Sequence, residues 1–203
     1  MEDFKEGIDY AHARGKKVYA TLNGFPFNSQ LNLLKKHILA MAELKPDAFI
    51  VSTTGVLKLC HELVPEMPLH LSTQANVMNV LDAQVYYDMG AVRIITAREI
   101  SLKDLIAIKK ELPDLELEVF VHGSMCFAYS GRCLISTLQS GRVPNRGSCA
   151  NDCRFDYELY AANPEIEIKL YEQFIISFDN HVQKQVATVK YGEDIIVDIC
   201  NDV

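Results

Sequence analysis

Apolar residues along the first 122 positions follow two alternating rhythms. Phe4, Ile8 and Ala11 recur at helical spacing over residues 2–14, and Gly15 stops that run. Residues 17–23 switch to a period of two, with Val18, Ala20 and Leu22 set against Lys17, Tyr19 and Thr21, as a half-buried strand requires. The exchange then repeats: helix 29–44, strand 48–52, helix 55–63, strand 69–73, helix 79–89, strand 92–95, helix 101–112 and strand 115–122. Strands alternating with helices at this spacing predict an α/β chain of right-handed parallel β/α units, and five in succession suit either a barrel or an open doubly wound sheet.

The residues just past each strand separate those two architectures. A dinucleotide-binding sheet needs a glycine-rich turn after its first strand, and Gly24 stands alone there. Polar residues collect instead where strands end: Thr21 and Asn23, Ser52 to Thr54, Ser72 to Gln74 with Asn76, Thr96 with Arg98 and Glu99, and His122. Such residues meet on the catalytic face of a triosephosphate isomerase (TIM)-type barrel, which is the predicted architecture.

The regular alternation stops at residues 118–154, where four of the six cysteines gather. Cys126, Cys133, Cys149 and Cys153 are separated by six, fifteen and three residues, among Gly123, Gly131, Gly141, Pro144 and Gly147. A loop of this kind can wrap a metal. Four thiolates at irregular spacing suit an iron–sulfur cluster of the 4Fe–4S type, with Met125, Phe127, Leu134 and Ile135 as an apolar cradle. Zinc is the rival, although only Cys149 and Cys153 have the short spacing of zinc ribbons. Disulfides or buried thiols are the third possibility, and the expected cytoplasmic location disfavours the first of these. Cys60, among Leu57, Leu59 and Leu63, reads as core, and Cys200 as a bystander.

Within this stretch Glu118, Phe120, Gly123, Ser124, Met125, Cys126, Gly131, Arg132, Cys133, Ile135 and Ser136 resemble, position for position, the signature of the collagenase-like peptidase U thirty-two family. Residues 129–133, together with Pro144, Asn145, Arg146, Gly147, Cys149, Cys153 and Arg154, look most like its branch that hydroxylates wobble uridine in transfer RNA. The resemblance covers residues 1 to about 164 and implies a barrel, a cluster on the four cysteines, tRNA as partner and prephenate as co-substrate. It also implies another strand ahead of the first helix and further units after Pro164, so the barrel is expected to be incomplete. The expected organisation is therefore a barrel portion over 1–122, a cysteine-rich cluster loop over 123–164 and an atypical segment over 165–203. In that last segment two strands, 173–178 and 194–200, are expected around a weak helix at 181–190. An unclosed barrel leaves an open edge, which invites self-association.

Candidate chemistry follows from these placements. On strand 115–122, Glu118, Phe120 and His122 share one face, and Val119 and Val121 the other. The valines are expected against the helices, which turns Glu118 and His122 inward, either for acid–base work or as hydrogen bonds that hold the cysteine loop. Ser72, Gln74 and Asn76 offer hydrogen bonds to a polar small molecule, with Asn76 alternatively a helix cap. Arg98 is a candidate carboxylate clamp, or else a partner for Glu99. Arg132, Arg142, Arg146 and Arg154, against one Asp152, suit a phosphate backbone or the neutralisation of an anionic cluster.

Charge and composition refine this picture. Net charge is −7, yet residues 1–154 carry seventeen basic and seventeen acidic side chains; the excess lies in the last 49, with three and ten. A 49% hydrophobic content supports a sizeable core, and no apolar run reaches the roughly 20 residues of a membrane helix. Proteolysis finds little support: His61 and Glu62 lack the second histidine of a zinc-protease helix, that position being Pro65, and no nucleophile elbow occurs. A collagenase-like peptidase and a cluster-bearing subunit for quinone-ring hydroxylation are the alternatives that the family resemblance leaves open, and a metal-binding barrel without activity is the non-enzymatic one.

Overall fold

The computed structural model describes residues 1–122, 126, 128–144 and 148–156, and beyond them the strand backbones at 169–170, 174–178, 182–191 and 195–202. Helix α1 (Glu2–His12) leads into β1 (Tyr19–Leu22), then α2 (Leu31–Glu43), β2 (Ala48–Val51), α3 (Thr54–Leu63), β3 (Leu69–Leu71), α4 (Val80–Asp88), β4 (Ala91–Ile95), α5 (Leu102–Glu111) and β5 (Glu116–Glu118). The five strands form one sheet in chain order, with each neighbouring pair parallel. That order contains no reversal and hence no switch point of the doubly wound kind. Among the described residues β1 and β5 stand at the edges of the sheet.

The period-two pattern decides which side chains meet the helices. Leu22, Phe49, Val51, Leu69, Leu71 and Ile94 lie in one buried cluster with Ile38 and Met41 of α2, Leu57 and Cys60 of α3 and Ile108 of α5. Cys60 is core, as expected, and burial pushes its thiol pKa up to about 12, which keeps it protonated. The alternate positions Tyr19, His70, Arg93, Glu116 and Glu118 form the other face. There the Tyr19 and His70 rings meet edge to face at 4.7 Å, and the Arg93 guanidinium lies 5.5 Å above the Tyr19 ring. Arg93 also donates to Glu116 at 2.6 Å and to Glu118 at 3.3 Å.

Local signals set the boundaries. Thr53, Asn79 and Ser101 cap α3, α4 and α5, each side-chain oxygen accepting a first-turn N–H. Asn76, weighed above as a cap for α4, instead closes a 3-10 turn (Thr73–Ala75) in the left-handed region, φ 61°. Gly90, between α4 and β4, has φ 97°, and a Cβ there would lie 2.8 Å from Nδ1 of His61, so only glycine fits without displacing that ring.

Asp47 ties the opening of the sheet to α1, accepting from the Val18 N–H at 2.6 Å and from His12 Nε2 at 2.9 Å. The Val18 bond and then His12 hold its carboxyl below the usual carboxylate range. A depressed pKa contributes stability that is present above the unfolded value of about 4 and is lost as pH falls through the folded one. Urea midpoints measured below about pH 4 are therefore expected to fall less steeply for Asp47→Asn than for wild type. Identical acid slopes would show that Asp47 contributes nothing there.

Two expectations are corrected. Strand 115–122 ends at Glu118, because the Thr96 N–H to Glu118 carbonyl bond (3.0 Å) is the last rung and, among the described residues, no strand of the sheet continues beside 119–122. Val121 is consequently 91% exposed rather than packed on helices. The weak helix at 181–190 is a strand: β8 (Val182–Tyr191) pairs antiparallel with β6 (Lys169–Leu170), β7 (Phe174–Phe178) and β9 (Ile195–Asp202). Val182, Val186, Thr188, Val189 and Tyr191 explain that preference. The two strands expected around it are present as β7 and β9. Among the described residues no helix is long and apolar enough to cross a membrane.

Candidate functional site

Parallel pairing brings the C-terminal ends of all five strands to one edge, and the polar residues found there divide into two groups. The first is spent on structure. Ser52 Oγ donates to the Asn23 carbonyl at 2.9 Å, Thr73 Oγ1 to the Thr96 carbonyl at 2.9 Å, and Ser72 Oγ accepts the Gln74 N–H at 3.3 Å. Ser72, a predicted binding residue, is thereby committed to shaping the turn that carries Gln74 and Asn76.

The second group keeps bonding capacity. Asn23 Oδ1, Gln74 Oε1, Asn76 Oδ1 and Arg98 Nη1 are each buried with no hydrogen-bond partner among the described residues. Buried polar atoms are ordinarily paired, with protein or with ordered water, so these four mark where bonding capacity is left over along this edge. Arg98 forms no pair with Glu99. Its guanidinium lies 4.8 Å over the Phe120 ring, which fixes the plane from which Nη1 can donate.

Glu99 instead holds the cysteine loop. It accepts from the Ser130 N–H at 3.2 Å and from Ser130 Oγ at 2.9 Å. Ser130 is fully buried with φ 39°, a left-handed conformation costly for serine and maintained by this pair of bonds. Next to it, Asn76 Nδ2 reaches the Tyr129 carbonyl at 3.5 Å and Tyr129 Oη meets Met78 Sδ at 2.7 Å. The loop is thus pegged on the turn that carries Gln74.

Beyond the peg, α6 (Ile135–Ser140) organises the cysteines. Cys133 precedes it, and its sulfur accepts the Ile135 N–H at 3.4 Å. Ser136 Oγ accepts the Ala150 N–H at 3.1 Å, and Ser140 Oγ donates to buried Asp152 at 2.8 Å, which folds residues 148–154 back along α6. Cys149 Sγ accepts the Asn151 N–H at 3.4 Å. Cys126, Cys133, Cys149 and Cys153 are all free. Thiols on one loop, two of them with backbone N–H donors on sulfur, are the donor set an iron–sulfur cluster takes. Among the described residues no three His, Cys, Asp or Glu side chains stand together closely enough to hold a metal ion.

The remaining predicted residues spread outward. Arg132, Arg142 and Arg154 lie exposed around the loop, and Arg146 lies outside the described residues. Glu118 is exposed and bonded to Arg93; His122 is exposed four positions on. Two residues were missed as site candidates. Asn23, noted only as polar, carries one of the four orphan atoms. His70 is 4% exposed on the far face with no partner for Nδ1 among the described residues, and burial first, then Arg93, lowers its pKa. Its signal was a histidine alternating with two leucines in β3.

Comparison with known proteins places this geometry in context. Residues 1–192 match the model of peptidase family U32. The chain is 72% identical over 165 residues to a tRNA hydroxylation protein P of Helicobacter pylori (strain J99), covering 81% of this chain and 39% of that protein. It is 34% identical over 183 residues to the 23S rRNA 5-hydroxycytidine synthase of Escherichia coli (strain K12), covering 90% of this chain and 27% of that one. The solved structure of a U32 peptidase superposes with a TM-score of 0.56 at 18% identity, over 81% of this chain and 66% of the other. The chain thus spans well under half the length of the curated relatives it matches.

Proposed function

Because this chain belongs to peptidase family U32, we propose that it is part of a tRNA-modifying enzyme that hydroxylates uridine at C5, with an iron–sulfur cluster and with prephenate as co-substrate. The 72% identity to a tRNA hydroxylation protein carries the reading. The five parallel strands are then successive units of a TIM-type barrel, with substrates bound at its C-terminal edge.

Each group at that edge has a role in this scheme. Cys126, Cys133, Cys149 and Cys153 would hold a 4Fe–4S cluster, which supplies redox capacity at the site when bound. Arg98, stacked on Phe120 with no partner for Nη1 among the described residues, suits one end of a carboxylate, and Gln74 and Asn76 carry acceptors on the adjoining turn. Of the two acid–base candidates Glu118 is engaged by Arg93, which leaves His122 as the group to hold or move a proton beside the loop. Arg132, Arg142, Arg146 and Arg154 grip the phosphate backbone, so a net negative chain still binds RNA through a local basic patch.

The test is anaerobic incubation of the protein with unmodified tRNA, with and without prephenate, followed by mass analysis of the nucleosides. Hydroxylated uridine is expected only with prephenate present. Affinity for the same tRNA is expected to fall linearly on a log–log salt plot, with a slope of about one per phosphate contacted. Salt-insensitive binding and unmodified nucleosides from protein with its metal centre filled would sink the proposal.

A further inference from the structure

We infer that the loop between β1 and α2 is a platform for single-stranded RNA, on which Phe25 and Phe27 stack unpaired bases while Lys35 and Lys36 of α2 meet the phosphates. The inference rests on the RNA reading above and names the part of the surface that receives unpaired nucleotides.

Charge marks the place first. Between Asp9 and Glu43 the chain carries no acidic residue, and between Glu118 and Asp152 again none, although it holds 27 in all. These two acid-free stretches meet at the C-terminal edge of the sheet, where Phe25 and His37 from the first and Pro144 from the second line one cavity of about 640 Å³. Phe25 also borders a second cavity, of about 580 Å³, together with Lys35. The carboxylate on that second wall, Glu62, lies 3.9 Å from Lys58 Nζ. A polyanion crossing from α2 to the cysteine loop thus meets exposed Lys35, Lys36, His37 and Arg142, and one carboxylate already opposed by a lysine.

The apolar side of the patch fits bases. Phe27 is 68% exposed and Phe25 37%, on a chain that buries Phe49 completely. Exposed aromatic rings beside cations are what unpaired bases stack on, since every base has a π-face and a duplex keeps those faces covered. Paired lysines beside the rings also suit phosphate better than a protein partner, whose contact surfaces are poor in lysine. The loop presents its rings on a fixed backbone. Ser52 Oγ donates to the Asn23 carbonyl at 2.9 Å, the Phe27 N–H donates to Gln30 Oε1 at 3.0 Å, and Pro26, between the two rings, has its φ locked. Little backbone freedom is therefore lost when RNA docks.

The chain has no tryptophan, so Phe27→Trp places a single indole reporter on the loop. The whole 203-residue chain, isolated anaerobically, is titrated with a single-stranded oligouridylate and with a blunt RNA duplex of equal length. The single strand is expected to quench the indole, and the duplex to bind through its phosphates without quenching. In anisotropy with the labelled RNAs, Phe27→Ala is expected to bind the single strand about tenfold more weakly, the loss of one base–aromatic stack, with duplex affinity unchanged. Phe27→Leu, apolar but without a ring face, is expected to behave as the alanine variant does. Single-strand binding that leaves the indole unquenched, or that survives either substitution, would overturn the platform and leave the RNA reading standing. Failure of wild type to bind either RNA would overturn both. A dimer in light scattering that Phe27→Ala dissolves, with RNA binding unchanged, would assign the patch to a second copy of the chain and overturn the platform as well.

Discussion

Anaerobically isolated protein is expected to carry about four irons and four sulfides per chain, and Cys133→Ala to carry neither. Cys133 is the most informative ligand to remove, because it sits at the start of α6 and its sulfur accepts the Ile135 N–H. Alanine removes the thiolate and leaves α6 and the Ser140–Asp152 bond in place. The peg at Ser130 and Glu99 is likewise untouched, so far-ultraviolet circular dichroism of the variant should match that of wild type. Loss of iron with the fold intact identifies Cys133 as a ligand. One zinc and no iron in wild type would replace the redox cluster with a structural knot of the Cys126 to Cys153 loop and remove the basis for hydroxylation.

Phe49→Ala is expected to cost about 3–5 kcal/mol, the usual range for truncating a fully buried aromatic. Phe49 is completely buried in β2, flanked in register by Ala20 of β1 and Leu69 of β3 and covered by the helices. Domain stabilities run to about 5–15 kcal/mol, so this one change removes a large share of the total. Ile50, the next residue, lies on the other face and is only half-buried, and Ile50→Ala is expected to cost much less. Urea unfolding of both variants reads the contrast. Equal losses would mean that the two faces of the sheet are equally packed in solution, contrary to the structure.

The alternation of strands and helices was legible because each β/α unit repeats a switch between periods of two and 3.6, and all five units stand where those switches fall. Strand length was less legible. Residues 115–122 alternate throughout, but β5 stops at Glu118 because its neighbour leaves the sheet after Ile95, a tertiary fact no local pattern encodes. At Val182 to Tyr191 a faint helical spacing competes with the strand propensity of the valines, threonine and tyrosine, and pairing with two neighbouring strands decides for the strand. At the site the residue types could be named from the chain, but which of them were spent could not. Ser72 and Glu99 looked as available as Asn23 and Arg98 until their partners were known. Distinguishing an engaged polar group from an orphaned one requires the whole hydrogen-bond inventory in three dimensions.

The Arg93 bonds to Glu116 and Glu118 have a consequence for how the last strand of the parallel sheet finds its place. β5 has three residues, so backbone pairing alone offers it little reason to choose one alignment over the next. A slip by one residue would put Leu117 opposite Arg93 and turn both carboxylates into the apolar layer beneath the helices. The guanidinium between two acids two residues apart therefore acts as an alignment key, rejecting the slipped pairing more strongly than it stabilises the correct one. The cysteine loop begins a few residues further along the chain, so an error in that alignment would be passed to the loop at once.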